Sequence, residues 1–306
     1  MTASSALRTV RGPLSDADLT AVRALVARAE AHDGVAPLSE QFRLALTAPE
    51  SLHLLSPHGY AGIVVPPAGG AAAVEATVDP EHRSRGEGSR LVAAALGAAR
   101  EAGEGAPALW AHGDLAAAAG LAANLELDRV RELLQLRRPL APADPAAIPL
   151  PPLPTRDDVV LRTYLGPGDD AEILRVNNAA FSWHPEQGGW TQAQLDDRTG
   201  ADWFDPAGLF LAVDADSRQL LGFHWTKVHP ASETGGDPLG EVYVVAVDPG
   251  AQGRGLGGLL TLAGLHHLAG RDLREVQLYV EGDNAAALAT YRRLGFGRHA
   301  VDAAYR

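Results

Sequence analysis

Apolar positions along the second half of the chain switch repeatedly between a period of two and a helical spacing. Val159-Val160-Leu161-Arg162-Thr163-Tyr164 predicts a first strand, and Ile173, Leu174 and Val176 predict a helix over 170–180. Residues 210–213 and 220–227 read as a strand pair across the polar turn Asp214-Ala215-Asp216-Ser217. A strand over 241–247 leads into a glycine loop that opens a helix over 255–269. A short strand over 276–280 and a helix over 284–294 follow, with Gly295 as its carboxyl-terminal stop. The first half supports the same order with less contrast, because tracts such as Ala71-Ala72-Ala73 blur the periodicity. The expected fold class is α/β, built on a mixed α+β sheet.

The two halves also share a motif. Arg83-Ser84-Arg85-Gly86-Glu87-Gly88 recurs as Gln252-Gly253-Arg254-Gly255-Leu256-Gly257, and positions 83 and 252 are 169 residues apart. The same offset pairs Val78-Asp79-Pro80 with Val247-Asp248-Pro249, and Trp110 with Tyr279. Two related domains are therefore expected, over 1–140 and 156–306, joined by a proline-rich linker over 141–155. A chain of 306 residues has room for both, each with its own core.

Composition narrows the possibilities. The chain is 46% hydrophobic and 21% charged, and it has no apolar run long enough to span a membrane, so a soluble protein is expected. Its amino terminus lacks a secretory pattern, which makes the cytoplasm the expected location. There are no cysteines, which excludes disulfides and thiolate chemistry within the chain. A net charge of −12 argues against non-specific nucleic-acid binding. No metal cluster is evident, His266-His267 reading as helix surface or core.

A strand, a glycine loop and a helix in succession place unpaired backbone N–H groups and a positive helix end around one spot, which suits a diphosphate. Glycine permits the close approach, and Arg254 would add charge. The glycine loop resembles the acetyl-CoA signature of GNAT acyltransferases, and the reaction that this resemblance implies, acetyl transfer to an amine, needs a base, an oxyanion stabiliser and a proton for the departing thiolate. Glu241, at the start of the strand before the loop, can face the acceptor as a base, and the resemblance implies Tyr291, on the helix after the fifth strand, as the acid. At the 169-residue offset these two and Asn284 become Ala72, Ala122 and Leu115. Glu75 pairs with Val244 in that register, so regular strands would face it away from the side that Glu241 occupies. The second half is therefore expected to be catalytic. Glu241 as a solvated strand end and Tyr291 as a packed aromatic are the plain alternatives.

The loop resembles the acetyl-CoA signature of GNAT acyltransferases, Q/R-x-x-G-x-G/A after the fourth strand, and a tandem GNAT fold follows from that resemblance. It implies coenzyme contacts at Val245, Ala246 and Val247, at Gln252, Gly253, Arg254, Gly255, Leu256, Gly257 and Gly258, and at Asn284, Ala285, Ala286, Ala287, Leu288 and Ala289. In the first half it implies Ala76, Thr77, Val78, Ser84, Arg85, Gly86, Glu87, Gly88 and Ser89, for a possible second acetyl-CoA. Glu87 departs from the pattern by putting negative charge between the two glycines.

The aromatic-rich segments FSWHPEQGGWT and GFHWTKVHP, with LGEVYVVAVDP and LYVEGDN, are similar to the mycothiol synthase family of two-domain GNAT enzymes. That resemblance covers nearly the whole chain. It implies acetyl transfer to the cysteinyl amine of a glucosaminyl-inositol, a small thiol pseudodisaccharide, with Glu241 as base and Tyr291 as acid. Acceptor contacts would fall on Glu40, Glu186, Lys227, Glu241 and Tyr279. No nucleic-acid or membrane partner is expected, and the chain is expected to act as a monomer. The alternatives are a GNAT enzyme for another amine, such as an aminoglycoside or a protein amino terminus, and a non-catalytic acyl-CoA sensor.

Overall fold

The computed structural model describes residues 7–65, 70–140, 148–182, 187–234 and 236–306. The elements of the first half are β1 (Arg8–Arg11), α1 (Asp16–Asp33), α2 (Glu40–Ala45), β2 (Leu52–Ser56), β3 (Gly59–Val64), β4 (Ala73–Val78), α3 (Glu87–Ala102), β5 (Ala108–Ala111), α4 (Ala116–Asn124) and β6 (Arg129–Pro139). The second half repeats the plan with β7 (Val159–Thr163), α5 (Asp170–Ala180), α6 (Gln192–Thr199), β8 (Leu209–Asp214), β9 (Leu220–His229), α7 (Ala231–Thr234), β10 (Leu239–Val247), α8 (Leu256–Ala269), β11 (Glu275–Glu281), α9 (Ala285–Arg293) and β12 (Gly297–Tyr305).

Local signals set the helix ends. Ser15 accepts the Asp18 N–H at the start of α1, and Gly34 at φ +70° ends it in the left-handed region that glycine tolerates. Thr191 and Gln194 form a capping box at α6. By contrast, α3 and α8 start at Gly86 and Gly255 without any side-chain cap, leaving their first N–H groups to other acceptors.

Two compact units result, but their boundary departs from the expected division at the linker. The first comprises residues 1–133 and 300–306, and the second residues 134–299. Each half of the sequence thus gives its last strand to the other unit. In the first unit the strands run β1-β2-β3-β4-β5-β12, antiparallel except for the parallel pair β4–β5. In the second they run β6-β11-β10-β9-β8-β7, with β10–β11 as the parallel pair.

Each sheet is covered on both faces. In the first unit α3 packs Leu91, Val92 and Ala95 on one face, where Ala303 and Tyr305 of β12 join the core, while Val22, Leu25 and Phe42 of α1 and α2 cover the other. In the second unit α8 packs Leu256, Leu259 and Leu260 against Leu221 and Val247. Its opposite face carries Ile173, Val176 and Leu195 with Phe223 and Trp225. Trp225 is 0% and Trp190 5% exposed, so both are core residues. No helix among the described residues is long and apolar enough to cross a membrane.

Because residues 300–306 complete the first unit, deleting them removes the partner of β5 together with two buried core residues. A chain ending at His299 is expected to lower the unfolding temperature of the first unit by several degrees, with an earlier calorimetric transition and faster proteolysis within 7–133.

Candidate active site

The parallel ladder between β10 and β11 runs through Gly240–Val276 and Glu241–Gln277 and goes no further. Beyond it Val245, Ala246 and Val247 keep β9 as their neighbour on one side only. Backbone polar groups on the other edge are thereby left for a ligand. The first unit shows the same parting, since β4–β5 pairing ends at Glu75–Trp110 and Ala76, Thr77 and Val78 run on past it.

Each parted strand leads into the glycine loop and its uncapped helix. Gly253 and Gly255 adopt φ +79° and +76°, and Gly86 +78°. Ser84, at the position of Gly253, takes the left-handed conformation too, at φ +59°. A Cβ built on Gly257 would meet nothing nearer than Val247 Cγ2 at 4.0 Å, so the protein's own packing does not require glycine there. That open helix end fits a diphosphate approaching the backbone. Arg254 points elsewhere, its guanidinium lying 2.8 Å from Asp158. Asn284 caps α9, its side chain accepting the Ala287 N–H at 3.1 Å, and Ala285, Ala286 and Ala289 are exposed on that helix. A cavity of 240 Å³ beside Gly255 and Gly258 adds Arg156, Thr290 and Arg293, which the loop motif gave no reason to single out.

Glu241 is 9% exposed, and its carboxylate contacts His229 Nε2. Directly opposite on β9 is Lys227, and directly opposite on β11 is Gln277, which accepts a hydrogen bond from Gln135 Nε2 at 2.8 Å. The same Gln135 amide donates to the Tyr279 hydroxyl at 2.8 Å. Cross-strand partners share a face, so Glu241, Lys227 and Tyr279 are brought to one face, and His229, Gln277 and Gln135 join them. His229 is recognisable only from register. Glu186 lies outside the described residues, as does Trp183. Glu40 is exposed at the first turn of α2 in the first unit.

Tyr291 stands on α9, edge-on to Phe296 with ring centroids 5.7 Å apart. Burial pushes its phenol up to about 12, so the hydroxyl is protonated at neutral pH.

The strand parity expected for Glu75 does not hold. Pairing of β10 with β9 shifts between Val242 and Val244, a β-bulge that makes Tyr243 an extra residue. Trp225 lies opposite Val244 and Lys227 opposite Glu241, so these two β10 residues share a face although they are three apart. In β4, which has no bulge, Glu75 is the offset partner of Val244 and therefore lies on the α1/α2 face, the counterpart of the face that Glu241 occupies in the second unit. Glu75 is nevertheless engaged. Only 2% exposed, it accepts the Ser39 N–H at 2.8 Å and lies 3.0 Å from His112 Nε2, while His112 Nδ1 lies 3.2 Å from Asp302 of β12. Burial alone would lower the imidazole, but hydrogen bonds to Asp302 and Glu75 and their charges outweigh it and push His112 up to about 10.

A cavity of 480 Å³ in this unit is lined by Thr77, Ser84, Gly88, Trp110 and His112. Glu87 does not oppose an anion at its loop in the way its sequence position implies. Its carboxylate turns inward, accepting the Ser56 hydroxyl at 2.6 Å and the His58 N–H at 3.0 Å. Burial raises it, and those bonds more than offset the rise, holding it below the usual carboxylate range. Among the described residues no group of His, Asp and Glu could hold a metal ion.

Comparison with known proteins bears directly on this geometry. Residues 175–296 match the Acetyltransferase (GNAT) family. The mycothiol acetyltransferase of Tsukamurella paurometabola is 60% identical over 303 residues, covering 97% of this chain and 98% of that one. That of Gordonia bronchialis is 56% identical over 301 residues, 97% of this chain and 94% of that one. The chain belongs to the mycothiol acetyltransferase family. It is an acetyl-CoA-dependent N-acetyltransferase of GNAT fold. The tandem GNAT protein of the clavulanic acid pathway superposes with a TM-score of 0.67 at 21% identity, covering 98% of both chains, which supports the tandem fold.

Two outcomes follow from this geometry. Gly257→Ala, whose Cβ has space within the protein, is expected to weaken acetyl-CoA binding by roughly tenfold through loss of charge-assisted N–H contacts, with little change in unfolding temperature; calorimetric titration checks it. The His112 pKa is raised on folding from an ordinary 6.5, so its stabilisation is complete below about pH 6.5 and disappears as pH rises through about 10. The stability gap between wild type and His112→Gln in urea should therefore shrink steadily between those limits.

Proposed function

We propose that the protein acetylates the cysteinyl amine of 1D-myo-inositol 2-(L-cysteinylamino)-2-deoxy-glucopyranoside, the last step of mycothiol biosynthesis, with Glu241 as base and Tyr291 as acid. The observation that carries this reading is the gathering of Glu241, Lys227 and Tyr279 on one sheet face in a chain 60% identical to a mycothiol acetyltransferase. Glu241 takes a proton from the acceptor ammonium, directly or through water. The freed amine attacks the thioester carbonyl while parted backbone groups of β10 receive the oxyanion, and the departing CoA thiolate takes the Tyr291 proton. An α-amine has a reference pKa of about 7.7 to 8.0, so a carboxylate is base enough when the ammonium is already poised to lose its proton.

Acceptor contacts are assigned to Glu40, Glu186, Lys227, Glu241 and Tyr279, and the enzyme acts as a cytoplasmic monomer. Acetyl-CoA lies along Val245–Val247 and the 252–258 loop, with α9 beside it. The cavity of the first unit, whose loop glutamate turns inward, takes a second acetyl-CoA without turning it over, because Glu75 is held by Ser39 and His112.

The test is acetyl transfer to cysteinyl-glucosaminyl-inositol, following thiol release and product mass. Glu241→Gln and Tyr291→Phe are each expected to lower kcat by about 100-fold or more with little change in acetyl-CoA affinity. Wild-type turnover in either variant removes that residue from its role. Coenzyme binding without transfer to this acceptor sends the search to other amines or to sensing.

A further inference from the structure

Lys227 stands directly across from Glu241 on neighbouring antiparallel strands, where opposite charges ordinarily pair. The lysine is drawn elsewhere. Its ammonium lies 4.9 Å from the ring centroid of Trp203 and 5.8 Å from that of Tyr243, within the attraction of both ring faces. Tyr243 reaches this position as the extra residue of the bulge, and its hydroxyl accepts from Arg198 Nε at 3.2 Å. The Glu241 carboxylate turns to the diagonal neighbour two residues along β9, with Oε2 meeting His229 Nε2. Both side chains are largely enclosed, 18% exposed for His229 and 12% for Glu241.

We propose that His229 is a positioning residue for the reaction: its Nε2–H donates to Oε2 of Glu241 and leaves Oε1 to take the proton of the acceptor ammonium. The proposal rests on the assignment of Glu241 as base. An ammonium fixed on a carboxylate favours its charged form and so opposes proton uptake. An imidazole N–H orients the carboxylate through one directional hydrogen bond. The bulge and the aromatic rings therefore do two things together. They keep the cation off the base, and they leave the histidine as the group that selects which oxygen faces the substrate.

The experiment compares steady-state acetyl transfer by His229→Ala, His229→Gln, Glu241→Gln and the double variant His229→Ala/Glu241→Gln, with acetyl-CoA affinity measured for each. His229→Ala is expected to lose about tenfold or more in kcat, the effect of one hydrogen bond to a charged group, while acetyl-CoA affinity stays near wild type. Glutamine, which keeps an N–H donor, should restore most of the loss. In the Glu241→Gln background, removing His229 should cost nothing further.

A fully active His229→Ala beside an inactive Glu241→Gln overturns this proposal and leaves the base assignment standing. So does a glutamine variant as impaired as alanine, or an undiminished second loss in the double variant. An active Glu241→Gln overturns both assignments. If His229→Ala does not fold, His229→Leu, which fills the space without a donor, takes its place in the same comparison.

Discussion

Parallel pairing between β10 and β11 ends two residues past the start of β10, and the candidate site is organised around that parting. A parallel neighbour would occupy the backbone groups of Val245–Val247; without it they face a gap that leads straight into an uncapped helix. Unpaired N–H groups and the helix's positive end are then available to one anionic ligand. Glu241 is the last residue of that parallel ladder. Its placement next to the gap follows from register.

The first unit has the same parting but a different chemistry beside it. Glu75 lies on the face that Glu241 occupies in the second unit, yet it is tied to Ser39 and to a histidine held between two carboxylates. A buried charge persists only when paired and hydrogen-bonded, and the Glu75–His112–Asp302 cluster meets that condition within its own unit. The retained cavity with an engaged glutamate accords with the proposed division of labour, one repeat turning over and the other holding.

The exchange of final strands makes the two repeats depend on one another for completion. Asp302 and Tyr305 arrive from the end of the chain, where Tyr305 donates to Asp114 at 2.7 Å and adds its ring to the core of the first unit. Arg138, from the end of the first repeat, is buried in the second unit and donates to the Leu294 carbonyl at 2.6 Å. A sheet edge left without its last strand would expose unpaired backbone groups and apolar side chains. Each repeat's last strand meets that need in the other unit.

By itself the sequence determined the tandem repeat, the glycine loops, the order of strands and helices and the identity of Glu241 and Tyr291 as chemically suited residues. These are local or periodic properties, readable from spacing and from residue type. Tertiary structure decided the rest. A bulge of one residue at Tyr243 reversed the expected facing of Glu75, because strand parity counts paired residues and not sequence positions. The inward turn of Glu87 depended on Ser56 and His58, about thirty positions away, and the binding of Arg254 to Asp158 on a neighbour ninety-six positions distant. The meeting of His229 with Glu241 came from strand register. Each of those outcomes is set by which donor or acceptor the fold brings within hydrogen-bond reach, a property of the packed chain that no local pattern carries.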